Sequence, residues 1–109
     1  MSAAGTPFAP VATVDLDAIR RNARWLRGRC APGTKLLAAV KADAYGHGAV
    51  PVARALERDG VGWFGVATAD EAVQLRDGGV HGRLLAFGPL RGEALARALD
   101  ADVDLTVCD

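Results

Sequence analysis

Five apolar residues in unbroken succession, Leu36-Leu37-Ala38-Ala39-Val40, limit what this chain can fold into more than any other feature. A strand with one wet face alternates apolar and polar residues. An unbroken run reads instead as a strand covered on both faces, the usual pattern in a parallel sheet flanked by helices. Trp63-Phe64-Gly65-Val66, Arg83–Phe87 and Leu105–Cys108 read as further strands, with helical patterns between them. Strand starts recur roughly every 20–30 residues, as in successive βα units. No Gly-x-Gly-x-x-Gly follows any strand, which argues against a dinucleotide fold. The expected class is α/β with a parallel sheet.

The intervening segments carry helix signals. Residues Met1–Pro10 are small and polar with two prolines and read as a flexible tail. Val11–Val14 reads as a short strand. Asp15 is placed to cap a helix over Leu16–Arg29, whose apolar positions Leu16, Ile19, Ala23, Leu26 and Cys30 recur at helical spacing. Arg20, Arg21, Arg24 and Arg27 lie mostly off that stripe, on a face expected to be solvated; a phosphate or partner patch is the other reading. A second helix is expected over Ala49–Asp59, with Pro51 in its first turn and Gly60 ending it. Thr68-x-x-Glu71 is a capping box opening a helix to about Asp77, which assigns Asp70 and Glu71 to capping and the helix dipole. A further helix is expected over Gly92–Leu99.

At 109 residues, 50% apolar and 24% charged, the chain has the make-up of one small globular domain. Its formal net charge of zero gives no reason to expect nucleic acid or an anionic membrane surface as a partner. No apolar run approaches a membrane span and no signal-peptide pattern is found, so a cytoplasmic location is expected. Cys30 and Cys108 lie far apart, without the spacing of a metal site, and no metal is expected.

Lys41 follows the apolar run directly. The thirteen basic residues comprise eleven arginines and two lysines. The carboxyl end of a buried strand is where α/β folds keep their reactive groups. A lysine partly removed from water there can present a neutral amine to a carbonyl and form a Schiff base, which arginine cannot do. A lysine snorkelling to solvent fits the same position.

The string Val40-Lys41-Ala42-Asp43-Ala44-Tyr45-Gly46-His47-Gly48 resembles the signature around the cofactor lysine of bacterial alanine racemases, fold-type III pyridoxal-phosphate enzymes. Val14-Asp15-Leu16-Asp17-Ala18-Ile19, Val66-Ala67, Asp70-Glu71-Ala72 and the strand from Leu84 to Gly88 fall at family-like spacings. The resemblance implies the first three to four βα units of a partial (β/α)8 TIM barrel, with residues 11–109 as the N-terminal part of a pyridoxal-phosphate-binding barrel domain. A full barrel takes about 250 residues. The rest of the barrel and a β-rich C-terminal domain are therefore expected outside this sequence.

The resemblance also implies roles. Lys41 matches the lysine that holds pyridoxal 5'-phosphate covalently and serves as the base on the D-alanine face. Tyr45 matches the tyrosine that bonds the cofactor phosphate. Phe87 matches an apolar residue beside the cofactor, with a core aromatic as the other reading. Gly46 and Gly48 are expected to let the loop turn, with backbone N–H groups brought near the phosphate as the other reading; His47 is expected to brace the loop, and Asp43 to cap a turn or bias the lysine. The implied activity is racemisation of L- and D-alanine by two-base α-proton transfer, supplying D-alanine to peptidoglycan. A homodimer is implied, because the family's second base is a tyrosine of the partner subunit, and Tyr45 is this chain's only tyrosine. Residues 1–109 alone are therefore expected to be inactive. Relatives acting on serine or lysine, a non-catalytic pyridoxal-phosphate carrier, and a cofactor-free aldolase-type barrel are the alternatives.

Overall fold

The computed structural model describes residues 10–108, so the expected tail lies outside the described residues except for Pro10. Nine elements follow in order: α1 (Leu16–Gly28), β1 (Leu37–Ala39), α2 (Lys41–Tyr45), α3 (Ala49–Arg58), β2 (Trp63–Val66), α4 (Ala69–Asp77), β3 (Arg83–Ala86), α5 (Gly92–Asp100) and β4 (Val103–Asp104). The four strands form one sheet in the order β1-β2-β3-β4, every neighbouring pair parallel. No helix among the described residues is long and apolar enough to cross a membrane.

The register sorts the strand residues onto two faces. Val40, Phe64, Val66, Leu84, Ala86 and Val103 point toward the helices and are buried. They pack with Val52, Ala53 and Leu56 of α3, Ala72 and Leu75 of α4, and Ala98 of α5. Phe64, Leu75 and Leu84 are fully buried, and each such side chain contributes about 1.5–3 kcal/mol. The other face carries the row Leu37, Trp63, Arg83, then the row Ala39, Gly65, Leu85, Asp104. It has no second layer among the described residues: Leu37 and Ala39 are exposed. The reading of residues 36–40 as covered on both faces is corrected accordingly. Their apolar alternate positions face the side that, in a closed barrel, is filled by strands from across the axis.

The sequence cues for the helices are borne out. The Asp15 carboxylate accepts from Ala18 N at 3.0 Å, and the Thr68–Glu71 capping box closes in both directions. The arginine face of α1 is not simply solvated. Arg20 grips the Asp59 carboxylate with two N–H groups, at 2.9 and 3.0 Å, and Arg24 reaches it at 3.3 Å. Arg27 donates to the Asp59 main-chain oxygen. The hydrogen bonds from Arg20 hold the Asp59 carboxyl below the usual carboxylate range, against a smaller opposing effect of desolvation. The same pairing raises Arg20.

Two expected strands differ. Val11–Val14 forms no strand and pairs with no neighbour among the described residues; Val11 is exposed. The last strand lies at Val103–Asp104 and not at residues 105–108. Asp102 adopts a left-handed conformation (φ 56°) and turns the chain into the sheet without a glycine to mark the place. Beyond it the Ala86 carbonyl, which a longer ladder would offer to a main-chain N–H, accepts from Thr106 Oγ1 at 2.6 Å.

Candidate active site

Strand periodicity carries the open face past the ends of the strands. Two residues beyond Ala39 comes Lys41, and two beyond Leu85 comes Phe87. Both project on the uncovered side, at the carboxyl end of the sheet. Lys41 is half-buried, and its Nζ lies 5.9 Å from the centroid of the Phe87 ring, within cation–π range. The ring sits over Gly65 so closely that a Cβ there would come within 1.9 Å of Phe87 Cζ. Glycine at this point of β2 is what lets the aromatic lie down beside the amine. Phe87 N donates to Val66 O at 2.8 Å, fixing its backbone just past β3.

The chain leaves Lys41 through an uncommon turn. Ala42, Asp43, Ala44 and Tyr45 all have positive φ, between 52 and 56°, so α2 is a single turn of left-handed helix. This conformation costs an L-residue about 1–2 kcal/mol each, and the surroundings must hold it. Ala44 N donates to Val40 O at 2.8 Å, Gly46 N to Ala42 O at 3.1 Å and Gly48 N to Asp43 O at 2.9 Å. Ala44 is buried, anchoring the turn in the core. The Asp43 carboxylate accepts from Ala49 N at 2.8 Å and so caps α3, the turn-capping role among the two readings of that residue. His47 Nδ1 lies 3.0 Å from the Ala44 carbonyl oxygen, bracing the same turn. Gly46 and Gly48 have φ of 87 and 92°, which makes them turn glycines. Tyr45, more than half exposed, ends the turn at the same end of the sheet as Lys41.

Glu71 has a partner that the capping motif does not announce. Besides accepting from Ala67 N and Thr68 N with Oε1, at 2.7 and 3.1 Å, it accepts from Ala42 N with Oε2 at 2.7 Å. Asp70 pairs instead with Arg97 of α5. An apolar hollow of about 270 Å³ between α1 and β1, lined by Ile19, Ala23, Leu26, Leu36 and Val61, holds no ionisable side chain and lies apart from this chemistry.

A parallel βα sheet whose first strand delivers an amine to its carboxyl end, beside an aromatic ring seated on a glycine, defines the opening units of an α/β barrel with a lysine-centred site. Residues 14–109 match the family model "Alanine racemase, N-terminal domain", and the chain belongs to that family. It is 46% identical over 96 residues to the alanine racemase of Thermobifida fusca, covering 88% of this chain and 25% of that one. To the alanine racemase of Beutenbergia cavernae it is 50% identical over 96 residues, with the same two coverages. Among solved structures, alanine racemase from the D-cycloserine producer Streptomyces lavendulae superposes with a TM-score of 0.80 at 46% identity, over 88% of this chain and 25% of that one. Alanine racemase of Clostridium difficile 630 gives 0.82 at 34% identity, over 86% and 25%. The chain thus spans about a quarter of the length of the relatives it matches, and its sheet corresponds to the N-terminal portion of their TIM barrel.

Proposed function

We propose that the protein carrying these residues is a pyridoxal-phosphate-dependent racemase of alanine that supplies D-alanine for peptidoglycan in the cytoplasm. Residues 11–109 serve in it as the N-terminal part of the cofactor-binding barrel domain. The observation that carries this reading is the position of Lys41 Nζ just past the carboxyl end of β1, 5.9 Å from the centroid of the Phe87 ring that lies over Gly65 of β2. The residues present fit the cofactor: an amine for its carbonyl, a phenol for its phosphate, and an aromatic wall.

Lys41 would hold the cofactor through its amine, and the same amine is the group placed to take or return the α-proton on one face. When bound, the cofactor supplies the conjugated ring that accepts the electron pair left on the α-carbon. Holding the amine beside the Cα–H makes the proton transfer local. Phe87 walls the amine on one side, and Tyr45 would hold the phosphate through its hydroxyl. The second base comes from outside residues 1–109, from the partner subunit of a homodimer.

The test uses the complete protein loaded with pyridoxal phosphate and followed by chiral analysis of alanine. Lys41→Ala is expected to abolish covalent cofactor attachment. It is also expected to lower turnover by at least the 10²–10⁴-fold (order of magnitude) that a positioned acid–base group supplies. Wild-type protein that takes the cofactor at Lys41 yet leaves D- and L-alanine unchanged would make it a carrier. A Lys41→Ala protein that racemises normally would sink the assignment.

A further inference from the structure

We propose that Glu71 is a positioning residue for Lys41, acting through the Ala42 amide; this rests on the function proposed above. Ala42 follows the lysine directly and opens the left-handed turn. The first N–H groups of a helical turn have no partner within it, and the Ala42 N–H is met instead by Glu71 Oε2, 29 residues away, at 2.7 Å. Fixing that amide fixes the peptide plane between Lys41 and Ala42. It therefore fixes the direction in which the lysine side chain leaves β1 toward Phe87.

The two oxygens of Glu71 divide the work. Oε1 serves the start of α4, accepting from Ala67 N and Thr68 N, while Thr68 Oγ1 accepts from Glu71 N at 3.1 Å. A capping box needs only one acceptor on this side chain, and glutamine fills the position as well as glutamate. The second oxygen is therefore in excess of what α4 requires, and it is the one committed to the lysine turn. Only a carboxylate can accept on both sides, because an amide has a single acceptor oxygen and would present N–H to N–H. Capping and positioning can thus be separated by substitution.

The experiment compares the complete wild-type protein with Glu71→Gln, which keeps a capping-box residue, and Thr68→Ala, which breaks the box without touching Ala42. Three quantities are measured: melting temperature, hydrogen exchange at the Ala42 amide in apoprotein, and the rate of pyridoxal phosphate attachment to Lys41. Attachment is trapped with borohydride and located by peptide mass spectrometry. Glu71→Gln is expected to speed Ala42 exchange and slow attachment by about tenfold or more, the scale of a lost charge-assisted hydrogen bond. Its melting temperature should fall no further than that of Thr68→Ala. Thr68→Ala is expected to melt lower than wild type while leaving both other readouts within about twofold. If Thr68→Ala reproduces both effects, or Glu71→Gln leaves exchange and attachment at wild-type values, Glu71 is only a helix cap and the proposal falls alone. If wild-type protein takes no pyridoxal phosphate at Lys41, the functional reading falls and this inference with it.

Discussion

Gly65 and Phe87 are complementary, and the pair tests how the amine is housed. A glycine inside a strand costs roughly 0.5–1 kcal/mol relative to alanine. The position retains one where a Cβ would meet the Phe87 ring at 1.9 Å. Gly65→Ala in the wild-type background is therefore expected to destabilise by about 1 kcal/mol and to swing the ring, already partly exposed, away from Lys41. In a Phe87→Ala background the same substitution should reverse sign and stabilise by about 0.5 kcal/mol. A double-mutant cycle from urea melts measures this, and additive effects would refute the pairing. The placing of Phe87 beside Lys41 is legible only through the family resemblance, because neither apolar strand alternates. The contact between Glu71 and Ala42 is not legible at all. It spans 29 residues and joins a side chain to a backbone amide, so it leaves no spacing in the sequence.

At the level of elements, helices were legible wherever local chemistry decides them, as at Asp15 and in the Thr68–Glu71 box. Alpha2 was not: Ala-Asp-Ala-Tyr has no glycine to advertise positive φ. Its handedness is imposed by the Val40 carbonyl, the Asp43 cap on Ala49 and Glu71, all of which act only in the folded chain. The docking of α1 was missed for the same reason, since Asp59 lies 39 residues from Arg20. Alpha1 has no fully buried residue, so this clamp adds to the contact its partly buried Leu16, Ile19 and Ala23 make with the core. Asp59 has a folded-state pKa below its unfolded value. Its contribution to stability is therefore complete above the unfolded carboxylate pKa and is lost as pH falls through the lower folded value. Asp59→Asn should lower the melting temperature at neutral pH. The gap to wild type should narrow as the solution is acidified, closing once both proteins lack the carboxylate. A gap that persists or widens in acid would show that the arginines do not act through the charge.

For the molecule as a whole, the order and parallel direction of the strands follow from their spacing, but the cover on the open face does not. The unbroken apolar run at residues 36–40 encodes a strand wanted on both sides. Within this chain one side packs on helices and the other presents Leu37, Ala39 and the Phe87 ring. Among the described residues the outer edges of β1 and β4 have no strand partner, a standing template for another chain. The helix-side core of Phe64, Leu75, Leu84 and their neighbours is closed and can hold the βα layer together. Residues 1–109 produced alone are therefore expected to keep helical and strand signal but to self-associate as concentration rises, through the open face and edges. Leu37→Lys places a charge on both the exposed face and the β1 edge strand without touching the helix-side core, so it should suppress the association and preserve the circular dichroism spectrum. Sedimentation velocity over a concentration series decides it. Wild-type residues 1–109 that stay monomeric throughout would mean that this face is content in water, and that the apolar run at β1 has some purpose other than burial.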